Sequence, residues 1–365
     1  MKTCLALFKP AALIAAVLAF SSAPALAEKT YRLTMAETWT TNTPVLSETT
    51  RHMAEMAEKM SGGRLQIRID PSNKHKAPFG VFDLVKAGQY DMGHTASYYY
   101  KGKVPNTMYF TTVPFGMTTP EQYAWFYYGG GMELMEKVYS PHGLLSFPGG
   151  NTGNQMGGWF SKEINSLDDL QGLKMRTPGF AGEVMSEIGV AVTNIAPGEL
   201  YTSLERGTID ALEWVGPALD LPMGFHNVAK YYYSGWQEPS AEVQFLINQR
   251  SWERLPEDLQ EILRVAMRTA AYDMYAESVH LNSEAWDAMK EQHPDVTHKT
   301  FPPDVIDALR QATLKLLEQE AEKDPLTREI IDSQQSYLKK VRKWTDISDK
   351  AYLDNYAPID YTPAN

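Results

Sequence analysis

Hydrophobic and polar residues alternate with two different periods along the chain, and the switches between them lay out its elements. Tyr31 to Glu37 alternates with a period of two, as a strand does, and Pro44 to Met60 carries apolar residues at helical spacing until Ser61-Gly62-Gly63 stops it. Arg64 to Asp70 places Leu65, Ile67 and Ile69 on one face of a second strand. Phe79 to Gly88 reads as the next helix and Tyr90 to His94 as a short strand. Strands and helices thus alternate at α/β spacing, which predicts a mostly parallel sheet covered on both faces.

The same rhythm returns in the middle of the chain. Gly172 to Arg176 reads as a strand, Phe180 to Ile188 as a helix ended by Gly189, and Val190 to Ile195 as a strand. Gly198 to Arg206 is a helix ended by Gly207, and Ile209 to Trp214 a further short strand. The turn-rich stretch Phe147-Pro-Gly-Gly-Asn-Thr-Gly153 marks the crossing into this second unit, and the return falls between Tyr231 and Glu242. Val243 to Asn248 then rejoins the first unit as a strand. From Pro256 onward the pattern is helical, without a strand signal, over Glu257 to Gln292, Pro303 to Lys323 and Thr327 to Lys343. The tail from Tyr356 to Asn365, broken by Pro358 and Pro363, reads as irregular. The resulting division is a first domain of 28–150 rejoined by about 243–300, a second domain of 151–242, and C-terminal helices over 301–365.

Composition narrows the function. The 365 residues are 43% apolar and 22% charged, which suits a folded chain with a sizeable core. With 34 Lys and Arg against 45 Asp and Glu, the net charge is −11, so no basic excess exists to neutralise a nucleic acid. The single cysteine, Cys4, excludes a disulfide framework, a thiol nucleophile and a cysteine-based zinc site elsewhere in the chain. Residues 1–27 combine Lys2 and Lys9, the apolar run Ala11 to Phe20 and the small-residue site Ala25-Leu26-Ala27, the pattern of a cleavable export signal. A cysteine-free exported chain fits the bacterial periplasm.

Signals for catalysis are sparse. The chain has no G-x-S-x-G, no S-x-x-K with its partners, and no H-E-x-x-H among its eight histidines. Gly129-Gly-Gly131 and Gly149-Gly-Asn-Thr-Gly153 miss both the dinucleotide and the P-loop patterns.

The informative residues lie between Gly149 and Asn248. They are Asn154-Gln155, Gly172-Leu-Lys-Met-Arg-Thr-Pro178, the run Pro197-Gly-Glu-Leu-Tyr-Thr-Ser-Leu-Glu-Arg-Gly-Thr-Ile-Asp-Ala-Leu-Glu-Trp214, and Trp236-Gln-Glu238. Together they resemble the substrate-binding proteins of tripartite ATP-independent periplasmic (TRAP) transporters, and the resemblance extends over the mature chain through Ser61-Gly-Gly-Arg-Leu65, Lys86 to Gly93 and Val113-Pro-Phe-Gly116. It implies a two-domain periplasmic binding protein fold, with discontinuous domains, mixed sheets flanked by helices and a helical C-terminal region. Asn154-Gln155, Leu212-Glu-Trp214 and Trp236-Gln-Glu238 are most similar to the branch that binds α-keto and α-hydroxy monocarboxylates, such as pyruvate, with a metal cation.

The resemblance implies a substrate site of Arg176, Asn154, Gln155, Tyr98, Tyr99, Tyr100 and Trp214. It also implies a cation, sodium first and calcium second, held by Gln155, Glu213, Trp214 and Glu238, with Glu242 a rival for the Glu238 role. Physical chemistry agrees on two points. A guanidinium at the carboxyl end of a strand grips a carboxylate with two parallel hydrogen bonds, and hard oxygen ligands suit sodium or calcium rather than zinc. Residue by residue, bland alternatives stay open: Arg176 as a surface arginine beside Lys174, Glu213 paired with a nearby arginine or capping a turn, and the tyrosines as strand-edge aromatics. The expected partners are a small 2-oxoacid, the membrane permease subunits and a second copy of the chain, paired through the C-terminal helices as in dimeric members of the family. Rival functions are a receptor for lactate or another organic acid and a metal-dependent periplasmic hydrolase or lyase using Glu213 and Glu238.

Overall fold

The computed structural model describes residues 29–356, so the export signal with Cys4 and the tail beyond Tyr356 lie outside the described residues. Strand β1 (Tyr31–Glu37) forms where the alternating pattern places it and pairs in parallel with β2 (Leu65–Asp70) and β3 (Met92–Thr95). The helix between β1 and β2, Leu46–Met60, turns Leu46, Met53 and Ala57 inward. The chain leaves this sheet through β4 (Leu144–Asn151) and returns through β10 (Glu242–Asn248), which lies between β3 and β4 and runs antiparallel to both. All seven residues of β10 are buried, including the polar Glu242, Gln244 and Asn248, whose side chains find partners inside.

Between β4 and β10 the chain builds a second sheet from β5 (Gly158–Phe160), β6 (Lys174–Arg176), β7 (Ala191–Thr193), β8 (Ala211–Leu212) and β9 (Tyr231–Tyr233). With an edge strand β11 (Thr297–Lys299) added, its strand order is β11-β9-β5-β8-β6-β7, against β2-β1-β3-β10-β4 in the first sheet. β6 is parallel to β7 and β8, whereas β5 is antiparallel to β8 and β9. Both sheets are therefore mixed rather than mostly parallel, because the strands next to each crossing reverse direction. The edge strand β11 (Thr297–Lys299) pairs with β9 and corrects the expectation of a purely helical chain after Pro256. It also attaches to the second sheet a segment expected to stay with the first. Thr297-His-Lys299 is too short and polar to announce a strand. Tertiary pairing places it, with the Thr297 N–H donating to the Lys230 carbonyl (2.8 Å) and the Ser234 N–H to the Lys299 carbonyl (2.9 Å).

The helix Glu257–Gln292 is about 54 Å long and bridges both sheets. Leu259, Leu263, Ala266 and Met267 pack with Leu33, Met35, Phe245 and Ile247 of the first sheet. Farther along, Asn282 accepts from the Ala218 N–H of the second unit at 3.0 Å. Helices Pro303–Lys323, Pro325–Ile347 and Asp349–Asn355 follow. The middle one starts two residues before the expected Thr327, since the Asp324 carboxylate caps it by accepting from the Thr327 N–H (2.8 Å). Arg342 ties its far end to Glu121 at 2.9 Å. Among the described residues, no helix is long and apolar enough to cross a membrane.

Candidate functional site

β6 ends on Arg176 and β8 runs into Glu213, and these parallel neighbours deliver both side chains to the carboxyl end of the second sheet. Arg176 and Glu213 are each 1% exposed. The Arg176 Nη1 donates to the Glu213 carbonyl at 2.5 Å and to its Oε2 at 3.2 Å. The arginine pairing left open as the alternative for Glu213 therefore exists, and it occupies only one edge of each group. The Arg176 Nε and Nη2 and the Glu213 Oε1 are buried without a hydrogen-bond partner.

Gln155 and Glu238 reach the same place from the two crossing segments. The Gln155 N–H donates to the Glu238 carbonyl (2.9 Å), and Gly235 makes this approach feasible, since a Cβ there would fall 1.8 Å from the Gln155 carbonyl oxygen. The Gln155 side-chain amide donates to the Thr152 hydroxyl (2.7 Å), which leaves its Oε1 buried and unpartnered, as is the Glu238 Oε2. The Trp214 indole N–H is likewise buried and free, with the Arg176 guanidinium 5.6 Å from its ring.

From the first unit, Tyr98 and Tyr99 enter on a single turn of 3₁₀ helix, Ser97–Tyr100. Tyr98 lies against Gly179, whose φ of +65° and lack of a side chain leave room for the ring. Trp39, Leu46, Ala96, Tyr98, Tyr99, Thr111, Thr152, Gln155, Trp214, Val215, Ala241 and Val243 enclose a cavity of about 20 Å³. A pocket on this scale admits one or two water-sized groups.

Two of the sequence-expected residues lie elsewhere. Asn154 is exposed and lines a different groove with Asn282, Trp286 and His298. The Tyr100 hydroxyl is bonded to Thr95 Oγ1 at 2.8 Å, its ring packs on Phe82, and it faces away from the cavity. Glu242, the rival of Glu238, has both carboxylate oxygens engaged: Oε1 accepts from the Gly149 and Gly150 N–H groups (2.9 and 3.2 Å) and Oε2 from Asn151 (3.2 Å). Conversely, the sequence did not single out Trp39, Thr111, Thr152 or Val243. The one available signal was the position of Trp39 just past the carboxyl end of β1, where ligands of α/β proteins bind.

The electrostatics are those of a site built for charge. Burial pushes Glu213 well above the usual carboxylate range, and Glu238 adds to this while Arg176 opposes it. Burial likewise pushes Glu238 up to about 8 against the pull of Arg176. Burial raises Tyr98 well above the usual phenol value, helped by Tyr99 and the two glutamates, so its hydroxyl stays a donor. The unpartnered atoms sort into two sets. Donors come from Arg176 and Trp214 and suit an anion, and acceptor oxygens come from Gln155, Glu213 and Glu238 and suit a cation. No group of three or more His, Cys, Asp or Glu side chains among the described residues could hold a metal. The free oxygens of Glu213, Glu238 and Gln155 form a set of hard anionic and neutral donors of the kind that suits sodium or calcium.

Residues 35–324 match the DctP family, bacterial extracellular solute-binding protein family 7. The chain belongs to this family. A monocarboxylate 2-oxoacid-binding periplasmic protein of Nostoc sp. is 38% identical to this solute-binding protein over 306 residues, covering 84% of the chain and 83% of the relative. A TRAP periplasmic solute-binding protein from Colwellia psychrerythraea, crystallised with calcium and pyruvate, is 61% identical, covers 90% of this chain and 100% of its own, and superimposes with a TM-score of 0.89. A second, from Pseudoalteromonas atlantica with sodium and pyruvate, is 59% identical with the same coverage and TM-score. This chain is accordingly a TRAP solute-binding receptor with the two-sheet architecture of that family.

Proposed function

We propose that this receptor captures 2-oxo monocarboxylates, pyruvate first and longer aliphatic 2-oxoacids next, together with a cation, and hands them to the TRAP membrane permease. The observation that carries the reading is the unpartnered set of buried atoms: two guanidinium nitrogens and an indole N–H for a carboxylate, and three oxygens for a cation. Arg176 presents Nε and Nη2 as a fork that matches a carboxylate in a bidentate pair, oriented by its hold on Glu213. The Trp214 N–H and the Tyr98 and Tyr99 hydroxyls supply further donors at the rim of the cavity. Gln155, Glu213, Glu238 and the Trp214 carbonyl would hold the cation, which supplies a positive centre for the carboxylate and the 2-oxo oxygen together and so selects against acids lacking an α oxygen. The cation-bound and pyruvate-bound relatives, both near 60% identity, support the pairing of ligand and ion.

The family assignment and the N-terminal pattern of charge, apolar run and small-residue site support a periplasmic location. Closure of the two units on a ligand held from both sides would present a changed surface to the permease. Exposed apolar side chains on the last helices support pairing with a second copy of the chain.

The test is a thermal-shift series of the mature protein with pyruvate, lactate and succinate, each with calcium, sodium or chelator. At a ligand concentration of about a hundred times Kd, binding to the native state alone adds roughly 2.7 kcal/mol. A shift for pyruvate that requires calcium or sodium, is lost when calcium is chelated in a sodium-free buffer, and is abolished in Arg176→Ala is the expected result. The same shift with succinate, a shift indifferent to the cation, or turnover of the acid overturns the reading.

A further inference from the structure

The first unit contributes an apolar wall to the cavity, and one of its members is held more firmly than packing alone requires. Trp39 lies two residues past the end of β1, and its backbone is fixed on both sides: the Thr38 N–H donates to the His94 carbonyl (3.0 Å) and the Ser72 N–H to the Trp39 carbonyl (2.8 Å). The indole Nε1 then donates to the His94 Nδ1 at 2.7 Å. An indole N–H can only donate, so Nδ1 is the acceptor, and the imidazole proton sits on Nε2 and is given to the Gly149 carbonyl at 3.0 Å. His94 is itself fully buried, with its ring edge-on to Trp39 and tilted against Phe245. The tryptophan therefore turns its polar atom away and offers the cavity only hydrocarbon, in a single orientation. Leu46, Ala96 and Val243 line the same cavity with apolar side chains.

The cavity lining is of two kinds. Gln155 and Trp214, which adjoin the buried Arg176, Glu213 and Glu238 cluster, carry unpartnered polar atoms, whereas Trp39, Leu46, Ala96 and Val243 contribute hydrocarbon. A 2-oxoacid whose carboxylate and oxo oxygen face the polar cluster is left with this hydrocarbon lining, Trp39 included, for its remaining carbons. We propose that Trp39, locked by His94, is the specificity-determining residue for ligand chain length, with His94 its positioning residue. This rests on the 2-oxoacid reading above and adds to it a limit: the cavity of about 20 Å³ takes the methyl group of pyruvate and progressively resists each longer chain. Removing the indole opens space along the chain axis, and each CH₂ then buried is worth about fourfold in affinity.

The experiment is calorimetric titration of the intact mature protein, with calcium present, against pyruvate, 2-oxobutyrate, 2-oxovalerate and 2-oxohexanoate. In the unaltered protein affinity falls along the series. In Trp39→Ala the ratio of 2-oxohexanoate to pyruvate affinity rises by at least about tenfold, and Trp39→Phe lies between. His94→Gln keeps the original ranking, since a glutamine amide can accept from the indole and donate to the Gly149 carbonyl, whereas His94→Leu relaxes the ranking towards that of Trp39→Phe. A ranking left unchanged in Trp39→Phe and His94→Leu, with both variants melting as folded proteins, overturns the inference while leaving the 2-oxoacid reading in place. An unaltered protein that binds none of the four acids overturns that reading and this inference with it.

Discussion

Arg176 holds Glu213 by one nitrogen only, with Nη1 reaching the backbone carbonyl at 2.5 Å and the carboxylate at 3.2 Å while Nε and Nη2 stay free. One arginine thereby does two jobs. It compensates a buried carboxylate, which would otherwise be costly, and it keeps the outer edge of its fork for a ligand. A point charge on a flexible stem could compensate the carboxylate but could not also offer a second edge to a ligand.

Arg176→Lys is therefore expected to behave nearly as badly as Arg176→Ala. Two hydrogen bonds to a charged partner are worth about 1.5 to 3 kcal/mol each, so pyruvate affinity should drop by roughly a hundredfold or more in both variants. Titration calorimetry with calcium in excess reads this directly. A lysine variant within about threefold of the parent would mean that charge, not fork geometry, is what the site uses.

The two buried glutamates of the returning segment separate in the same assay. Glu238 keeps Oε2 free beside Gln155, whereas the Glu242 carboxylate accepts from Gly149, Gly150 and Asn151 at the crossing and also interacts with Tyr123. Glu238→Gln should abolish the calcium-dependent part of the melting shift and leave the cation-free protein as stable as the parent or more so, because a desolvated carboxylate next to Glu213 has been neutralised. Glu242→Gln should keep the calcium response and lower stability by about 1 to 3 kcal/mol, as hydrogen bonds to the two glycine N–H groups weaken. The opposite assignment of the two effects would return Glu242 to the cation site.

How far the site was legible follows from geometry local to each residue. The G-x-K-x-R-x-P motif placed Arg176 at a strand end, and β6 delivers it there. Asn154 and Gln155 are adjacent in sequence, but the chain bends at Asn154 just after Gly153, whose φ is +80°, and only Gln155 is carried to the cavity while Asn154 stays exposed. Tyr98, Tyr99 and Tyr100 occupy a 3₁₀ turn, where three residues complete a revolution, and Tyr100 is carried round to Thr95. β11 was illegible because its pairing partner, β9, lies far away in the sequence and its own residues favour nothing. Trp39 was missed because one tryptophan after a strand looks like any core residue until His94 is seen to take its N–H.

Glu37, at the end of β1, carries a pH dependence away from the ligand. Burial raises its carboxyl from the ordinary 4.5 to about 7, against the Thr50 hydroxyl and Arg51, which act the other way. The folded protein then holds this proton more tightly than the unfolded chain. The contribution to stability is complete below about pH 4.5 and is lost as pH rises through about 7. Glu37→Gln is neutral throughout, so its stability relative to the parent should grow between pH 5 and pH 8 by up to roughly 3 kcal/mol, read from melting curves. A difference that does not change over this interval would mean that Glu37 is not the group responsible.

The last two helices predict an association. Trp344 is 67% exposed, Ile347 73% and Leu353 77%, and Tyr352 adds to the same stretch. On the outer side of the long helix, Val265, Tyr272 and Val279 are exposed at seven-residue intervals, the spacing that brings side chains to one helical stripe. Exposed apolar side chains concentrated in this way are costly in water and mark a surface that another protein covers. Because the C-terminal helices are also anchored to the body through Arg342 and Glu121, a rigid face is presented rather than a loose tail. The mature protein should therefore sediment as a dimer, and Trp344→Glu combined with Leu353→Glu should sediment as a monomer that still binds pyruvate, since neither residue lines the cavity. A parent protein that sediments as a monomer at its highest soluble concentration would rule the dimer out.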